Sequence, residues 1–413
     1  MDVSYPPEVF AFGATVRAWL HDNLPAGWFE PGFTLGPDER AAFLADWFPR
    51  LRAARWICAS WPEEYGGRGL GLLESVVLAE EFARADAPMR VSSLGEILVG
   101  PTILQWGTDE QKARFLPEIL AGGSVWCQGF SEPGAGSDLA GVATRAERSD
   151  DGSAWIVTGE KIWTSEAEDA DFMILLARTD PASQRHAGIS YLLMPMQVPG
   201  ISFFPIAQID GTAGFNRVVF DGARCPVDNV VGPVDGGWKV AMSTLGFERG
   251  ASTAASYHRF RRDLDDVLAS ATSSGRAADL LVRQRLMRTW IDVELMRING
   301  YRTLTGLLHG RTDAGLTALE TTFKVAWSEH DQRAMRLAVD LLGAEGMVLT
   351  GTEDDVRHPA VGLGRRVPVH RYPASPLQQS FLFALSETIY GGTSEIQRNV
   401  VAERVLGLPR DPR

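Results

Sequence analysis

The residues suited to chemistry fall in four short segments. Cys127-Gln128-Gly129-Phe130-Ser131-Glu132-Pro133-Gly134-Ala135-Gly136-Ser137-Asp138 combines glycines with hydroxyl and N–H donors. Such a stretch lets the backbone approach a flat heteroaromatic ring closely and bond its carbonyls and ring nitrogens. Gly159-Glu160-Lys161-Ile162-Trp163-Thr164-Ser165 adds an indole that can pack on a ring and a hydroxyl, from Thr164 or Ser165, that can bond to it. The other two segments are Leu245-Gly246-Phe247-Glu248-Arg249 and Ile389-Tyr390-Gly391-Gly392-Thr393-Ser394-Glu395-Ile396-Gln397-Arg398. Removing a proton from the carbon next to a carbonyl at neutral pH needs a positioned carboxylate whose pKa burial has raised. It also needs donors where enolate charge develops. Glycine cannot take a proton, but its backbone N–H can still polarise a carbonyl.

Other chemistries lack their motifs. There is no G-x-S-x-G nucleophile elbow, no H-E-x-x-H, no G-x-x-x-x-G-K-[ST] and no G-x-G-x-x-G opening a helix. The three cysteines, Cys58, Cys127 and Cys225, form no C-x-x-C pair, which argues against a zinc ribbon or a disulfide framework. A net charge of −12 disfavours a nucleic-acid surface, and an anionic ligand would need local basic groups. No run of about 20 apolar residues offers a membrane span. The start, Met1-Asp2-Val3-Ser4-Tyr5-Pro6-Pro7, lacks the pattern of a secretory signal, so a cytoplasmic location is expected.

These segments must be positioned by more than one core, since 413 residues exceed what a single core usually spans. Residues 1–123 read as a helical domain, with Phe43, Leu44, Trp47, Phe48 and Leu51, and then Leu73, Val76, Val77 and Phe82, at helical spacing. Thr108-Asp109-Glu110-Gln111 has the spacing of a capping box. Over 124–233 the pattern changes to short strands: 154–157, 172–175, 189–193 and 218–220. Helical periodicity returns over 234–413, with Val282, Leu286, Trp290 and Val293 on one face and further runs at 314–342 and 376–405. The stretch 357–376, rich in Pro, Gly and Arg, reads as a long loop that carries Arg365 and Arg366. The fold class expected is therefore α+β: a helical N-terminal domain, a central β domain and a C-terminal helical bundle.

The 131–138 run resembles the [ST]-E-P-x-A-G-S-D segment of the acyl-CoA dehydrogenase family, and 389–398 resembles its I-Y-E-G-T-x-Q-I-Q-R signature, with Gly391 at the usual place of the catalytic Glu. Leu245–Arg249 resembles the segment from which the isovaleryl-CoA and long-chain members supply their base. The resemblance implies FAD-dependent α,β-dehydrogenation of an acyl-CoA, or an acyl-carrier-protein thioester, to a trans-2-enoyl product. It implies Glu248 as the base, the Gly391 N–H as a donor to the thioester carbonyl, and hydride transfer to flavin N5. It also implies FAD contacts from Phe130, Ser131, Ser137, Trp163, Thr164 or Ser165, Thr393, Glu395 and, more weakly, Gly343. Ser137 and Arg249 are implied near the substrate. A role in lipid metabolism, an electron-transferring flavoprotein as acceptor and a homo-oligomeric assembly follow from the same resemblance.

The pattern is not complete. The R-x-x-F-G element that reaches a neighbouring subunit's FAD is absent from 250–290, and Leu382-Phe383 replaces a usual Arg-Asp pair. The rival expectations are a catalytically silent FAD/CoA-binding subunit of a hetero-oligomeric dehydrogenase and a flavin oxidase or monooxygenase on the same fold.

Overall fold

The computed structural model describes residues 5–30, 32–88, 94–247, 252–311, 313–349 and 374–410. Five helices come first: α1 (Pro7–Asn23), α2 (Pro37–Ala53), α3 (Leu72–Arg84), α4 (Gly100–Trp106) and α5 (Asp109–Ala121). Their starts follow from local chemistry. Proline opens α1 and α2, where a missing N–H costs nothing. Thr108 caps α5 in a capping box with Gln111, as its spacing predicts, and left-handed Gly122 ends the helix. A π-helical turn, Gly95–Val99, leads directly into α4.

The middle of the chain is an eight-stranded sheet: β1 (Trp126–Gly129), β2 (Arg145–Arg148), β3 (Ala154–Ser165), β4 (Phe172–Arg178), β5 (Ile189–Pro195), β6 (Ile201–Ile206), β7 (Phe215–Pro226) and β8 (Val230–Val231). The strand order is β6-β7-β3-β2-β4-β5-β8, with β1 pairing parallel to β4. β4 and β5 are near-continuous apolar runs because both of their faces are covered. Side chains alternate across the pleat. Ile174, Leu176, Ile189, Tyr191 and Leu193 join the core of the N-terminal helices, whereas Met173, Leu175, Leu192 and Met194 pack with β3 and β7. One pair of strands thus ties two layers together.

The last part of the chain is helical: α6 (Gly237–Phe247), α7 (Ser252–Ser273), α8 (Leu280–Leu308), α9 (Ala314–Leu342), α10 (Pro376–Glu387) and α11 (Ser394–Val400). On α8 the covered face runs through Leu286, Thr289, Val293 and Met296, while Trp290, expected on that face, is 43% exposed. The expected 376–405 helix is interrupted after Glu387 by a turn that carries Gly391 and Gly392. The expected loop at 357–376 has Arg365 and Arg366 outside the described residues. Among the described residues no helix is long and apolar enough to cross a membrane.

Candidate functional site

The loop after β1 is held from inside. Glu132 is 6% exposed and accepts from the Ala143 N–H at 2.7 Å, the Thr144 N–H at 3.0 Å and Lys161 Nζ at 2.8 Å. Lys161, fully buried in β3, also donates to the Phe130 carbonyl at 3.2 Å, and the Ile162 N–H donates to the Ser131 carbonyl at 3.0 Å. Burial raises the Glu132 carboxyl, but the Lys161 charge and these donors outweigh it and hold it below the usual carboxylate range. Burial pulls the Lys161 ammonium down to about 8, against the attraction of Glu132. Phe130 is buried and meets the Tyr191 ring edge-on at 6.1 Å, while Ser131 is half-buried and Gly134, Gly136 and Ser137 face outward. A Cβ built on Gly134 or Gly136 would meet nothing within 4 Å, so the outer surface of the loop has room for a ligand.

Beside this loop the register of β3 against β7 slips between Lys161 and Thr164. The slip places Trp163 at φ 62°, a left-handed backbone that side chains rarely adopt, and leaves its indole 57% exposed and edge-on to Phe215 at 6.2 Å. Thr164 and Asn216 are paired across the strands and buried, and neither Thr164 Oγ1 nor Asn216 Oδ1 has a hydrogen-bond partner. Ser165 is half-buried at the end of the strand. The exposed indole offers a face on which a flat ring could pack.

The helix that precedes Glu248 is fixed by hydroxyl groups. Thr244 Oγ1 lies 2.8 Å from Thr102 Oγ1 on α4 and 3.3 Å from the Tyr191 hydroxyl on β5, all three side chains being buried. Trp106 Nε1 adds a bond to Ser243 Oγ at 3.1 Å. The C-terminal end of α6 borders a cavity of about 370 Å³ lined by His186, Trp238, Met242, Leu245, Gly246 and Arg404. Glu248 and Arg249, expected as base and substrate contact, lie outside the described residues.

Gly391 and Gly392 turn the chain at φ 63° and 92°, and a Cβ on Gly392 would press on Gln397 Nε2 at 2.5 Å. Thr393 caps α11, accepting from the Ile396 N–H at 3.1 Å. Glu395 is exposed in its first turn, and its own N–H and the Thr393 hydroxyl hold its carboxyl below the usual range. Lys324 of α9 donates to the Glu387 carbonyl and lies 5.6 Å from the Tyr390 ring centre. Gly343 ends α9 at φ 62°, and a Cβ there would meet Arg276 Nη2 at 2.9 Å.

Three family models align along this chain: the acyl-CoA dehydrogenase N-terminal domain over residues 8–123, the middle domain over 127–223 and the C-terminal domain over 235–406. The chain belongs to the acyl-CoA dehydrogenase family. It is 44% identical to acyl-CoA dehydrogenase IpdE1 of Mycobacterium tuberculosis over 98% of this chain and 99% of that protein. Among solved structures it is similar to the Tcur3481-Tcur3483 steroid ACAD, with 32% identity and a TM-score of 0.78, each chain fully covered. It is also similar to the ChsE4-ChsE5 complex from Mycobacterium tuberculosis, with 28% identity and a TM-score of 0.76, again over the whole of both chains.

As an acyl-CoA dehydrogenase the chain is an oxidoreductase of an FAD-dependent family with the three-part fold described above. Within this acyl-CoA dehydrogenase the structure sets the Phe130–Asp138 loop against the Trp163 bulge, and it sets Gly391, Thr393 and Glu395 on one turn beside α9. It leaves Gly343 against Arg276, and Ser137 faces outward. The sequence offers Glu132 and Lys161 within its motifs but with no role, and Tyr191 only as part of the 189–193 strand, while Thr102 and Thr244 carry no signal. The last three lie in separate segments, and nothing in their local spacing marks them as partners.

Proposed function

We propose that this chain catalyses FAD-dependent α,β-dehydrogenation of an acyl-CoA thioester, with Glu248 as the base. The observation that carries the reading is the Phe130–Asp138 loop locked to the Trp163 bulge by the buried Lys161–Glu132 pair. Phe130, Ser131, Trp163 and one hydroxyl of Thr164 or Ser165 would hold the flavin ring, and Thr393 and Glu395 would bond the cofactor from the C-terminal turn. FAD supplies the hydride acceptor. Glu248 takes the α-proton as general base. The Gly391 N–H faces the thioester oxygen as enolate charge develops, so the two roles are divided between two segments. An electron-transferring flavoprotein would serve as the final electron acceptor.

The substrate class we infer is a ring-bearing or branched acyl group. Gly391 lacks a side chain that would otherwise fill the site, and a similar structure that matches over the whole of both chains is a steroid ACAD. The test is the absorption spectrum of the purified protein, followed by anaerobic bleaching with a panel of acyl-CoAs. Yellow protein that cyclic or branched thioesters bleach faster than straight short chains supports the reading. A folded, colourless protein that takes up no added FAD overturns it.

A second reading is that this chain forms one half of a two-chain dehydrogenase. The missing R-x-x-F-G element and Leu382-Phe383 weaken the case for FAD contacts between identical subunits, and two similar structures, Tcur3481-Tcur3483 and ChsE4-ChsE5, are named as pairs. Co-expression with a similar protein encoded by a neighbouring gene tests it: FAD retention only in the mixed complex favours this reading, and an FAD-loaded homo-oligomer excludes it.

A further inference from the structure

Arg259 and Asp263 of α7, Asp331 of α9 and Glu387 of α10 meet inside the C-terminal bundle. Arg259 Nη2 donates to Asp331 Oδ2 at 2.9 Å and reaches Glu387 Oε1 at 3.5 Å, while its Nε lies 3.8 Å from Asp263 Oδ2. The side chains of Asp331 and Glu387 are only 4% and 1% exposed. One guanidinium therefore faces three carboxyl groups, and Asp331 Oδ1 and Glu387 Oε2 are buried with no donor. Two ionised carboxylates in such a place repel each other and leave lone pairs unsatisfied, whereas a proton on Glu387 removes the repulsion and supplies a donor. The other charges nearby are already committed. Lys324 donates to the Glu387 main-chain carbonyl, and Asp292 of α8 is paired with Arg333 at 2.9 Å and close to His330 at 3.7 Å. Arg262 and Asp266 act on Asp263, whose carboxyl burial pushes up to about 7. Burial and the Asp331 charge likewise raise the Glu387 carboxyl, against the pull of Arg259.

We propose that Glu387 keeps its proton at neutral pH and turns it toward Asp331, and that this proton positions the Tyr390–Gly391 turn, a role that rests on the function proposed above. Glu387 is the last residue of α10, and the turn starts from it. Lys324 and Gln332 of α9 clamp this end, with Gln332 Nε2 donating to Thr388 Oγ1 at 3.0 Å. Loss of the proton sets two negative charges between α9 and α10 where the turn is anchored. Glu387 and Asp331 are thus positioning residues, acting on the substrate through the Gly391 N–H.

The test uses Glu387→Gln and Asp331→Asn in the full chain, since each amide keeps the size of its acid and donates permanently to the other carboxylate. Unfolding is followed from mildly acid to alkaline pH. One extra proton in the folded state makes the wild-type folding equilibrium constant fall about tenfold per pH unit, relative to either variant, between the ordinary and the raised carboxyl pKa. The rate of anaerobic flavin reduction by an active thioester declines at alkaline pH in wild type and not in Glu387→Gln. Parallel pH profiles for wild type and both variants, or failure of both variants to fold at neutral pH, overturn the proton on Glu387. If wild type reduces flavin with no thioester, the proposed function falls while the unfolding comparison still decides the proton.

Discussion

Lys161 Nζ and Glu132 Oε1 meet at 2.8 Å in a place where neither side chain is more than 6% exposed. The pair links β3 to the loop after β1. Removing one partner strands the other charge in the interior, so Lys161→Met or Glu132→Gln is expected to cost about 3–5 kcal/mol of stability. The same variants should lose FAD, because the loop then loses its hold on the strand that carries Trp163. Since the folded Glu132 carboxyl lies below its unfolded value, its contribution is present above the ordinary carboxylate pKa and is lost as pH falls through the lowered one. Chemical denaturation and flavin release followed against pH check both statements.

Glu248→Gln is expected to abolish flavin reduction by substrate while FAD content and ligand binding persist, because the amide matches the carboxylate in size but accepts no proton. General-base catalysis is worth roughly 10²–10⁴-fold, and the loss should reach that range in anaerobic stopped flow. Unchanged reduction would place the base elsewhere. Adding Gly391→Glu to this variant tests approach from the other side. Gly391 sits at φ 63°, so that side chain carries a backbone cost of about 1–2 kcal/mol, and any rescue should be partial.

Trp163 combines an exposed indole with a left-handed backbone, two features that folding alone does not favour. Trp163→Gly should therefore raise stability, or leave it unchanged, by relieving about 1–3 kcal/mol of strain. It should at the same time weaken FAD binding. Thermal melts of the apoprotein and titration with FAD separate the two effects, and a large loss of stability with unaltered flavin affinity would count against a stacking role.

Thr244 bonds at 2.8 Å to Thr102 and 3.3 Å to Tyr191, four residues before Glu248. Thr244→Val leaves those buried hydroxyls short of a partner, which costs about 1–3 kcal/mol. Proton abstraction should slow, because Glu248, the proposed base, follows directly on α6. Thr244→Ser should restore the rate. Equal losses in kcat and binding, unrelieved by serine, would assign these hydroxyls to packing alone.

The sequence by itself determined the order of helical and strand-rich regions and several of their boundaries. Those depend on short-range physics: helical and alternating apolar periods, the Thr108 capping box, and glycines where the backbone must turn or be approached. The α9 range 314–342 was legible for that reason, as were strands near 154, 172, 189 and 218. Tertiary structure alone decided which faces are covered. Trp290 keeps helical spacing with Leu286 and Val293 but lies at the open edge of the stripe, because the position of neighbouring helices sets the covered arc. It alone decided that the helix expected over 376–405 breaks at Gly391 and Gly392, and that β3 slips at Trp163. The polar cores were likewise illegible. Arg259 and Glu387 are 128 residues apart, as Thr102 and Thr244 are 142 apart, and no local pattern specifies a contact that only packing creates.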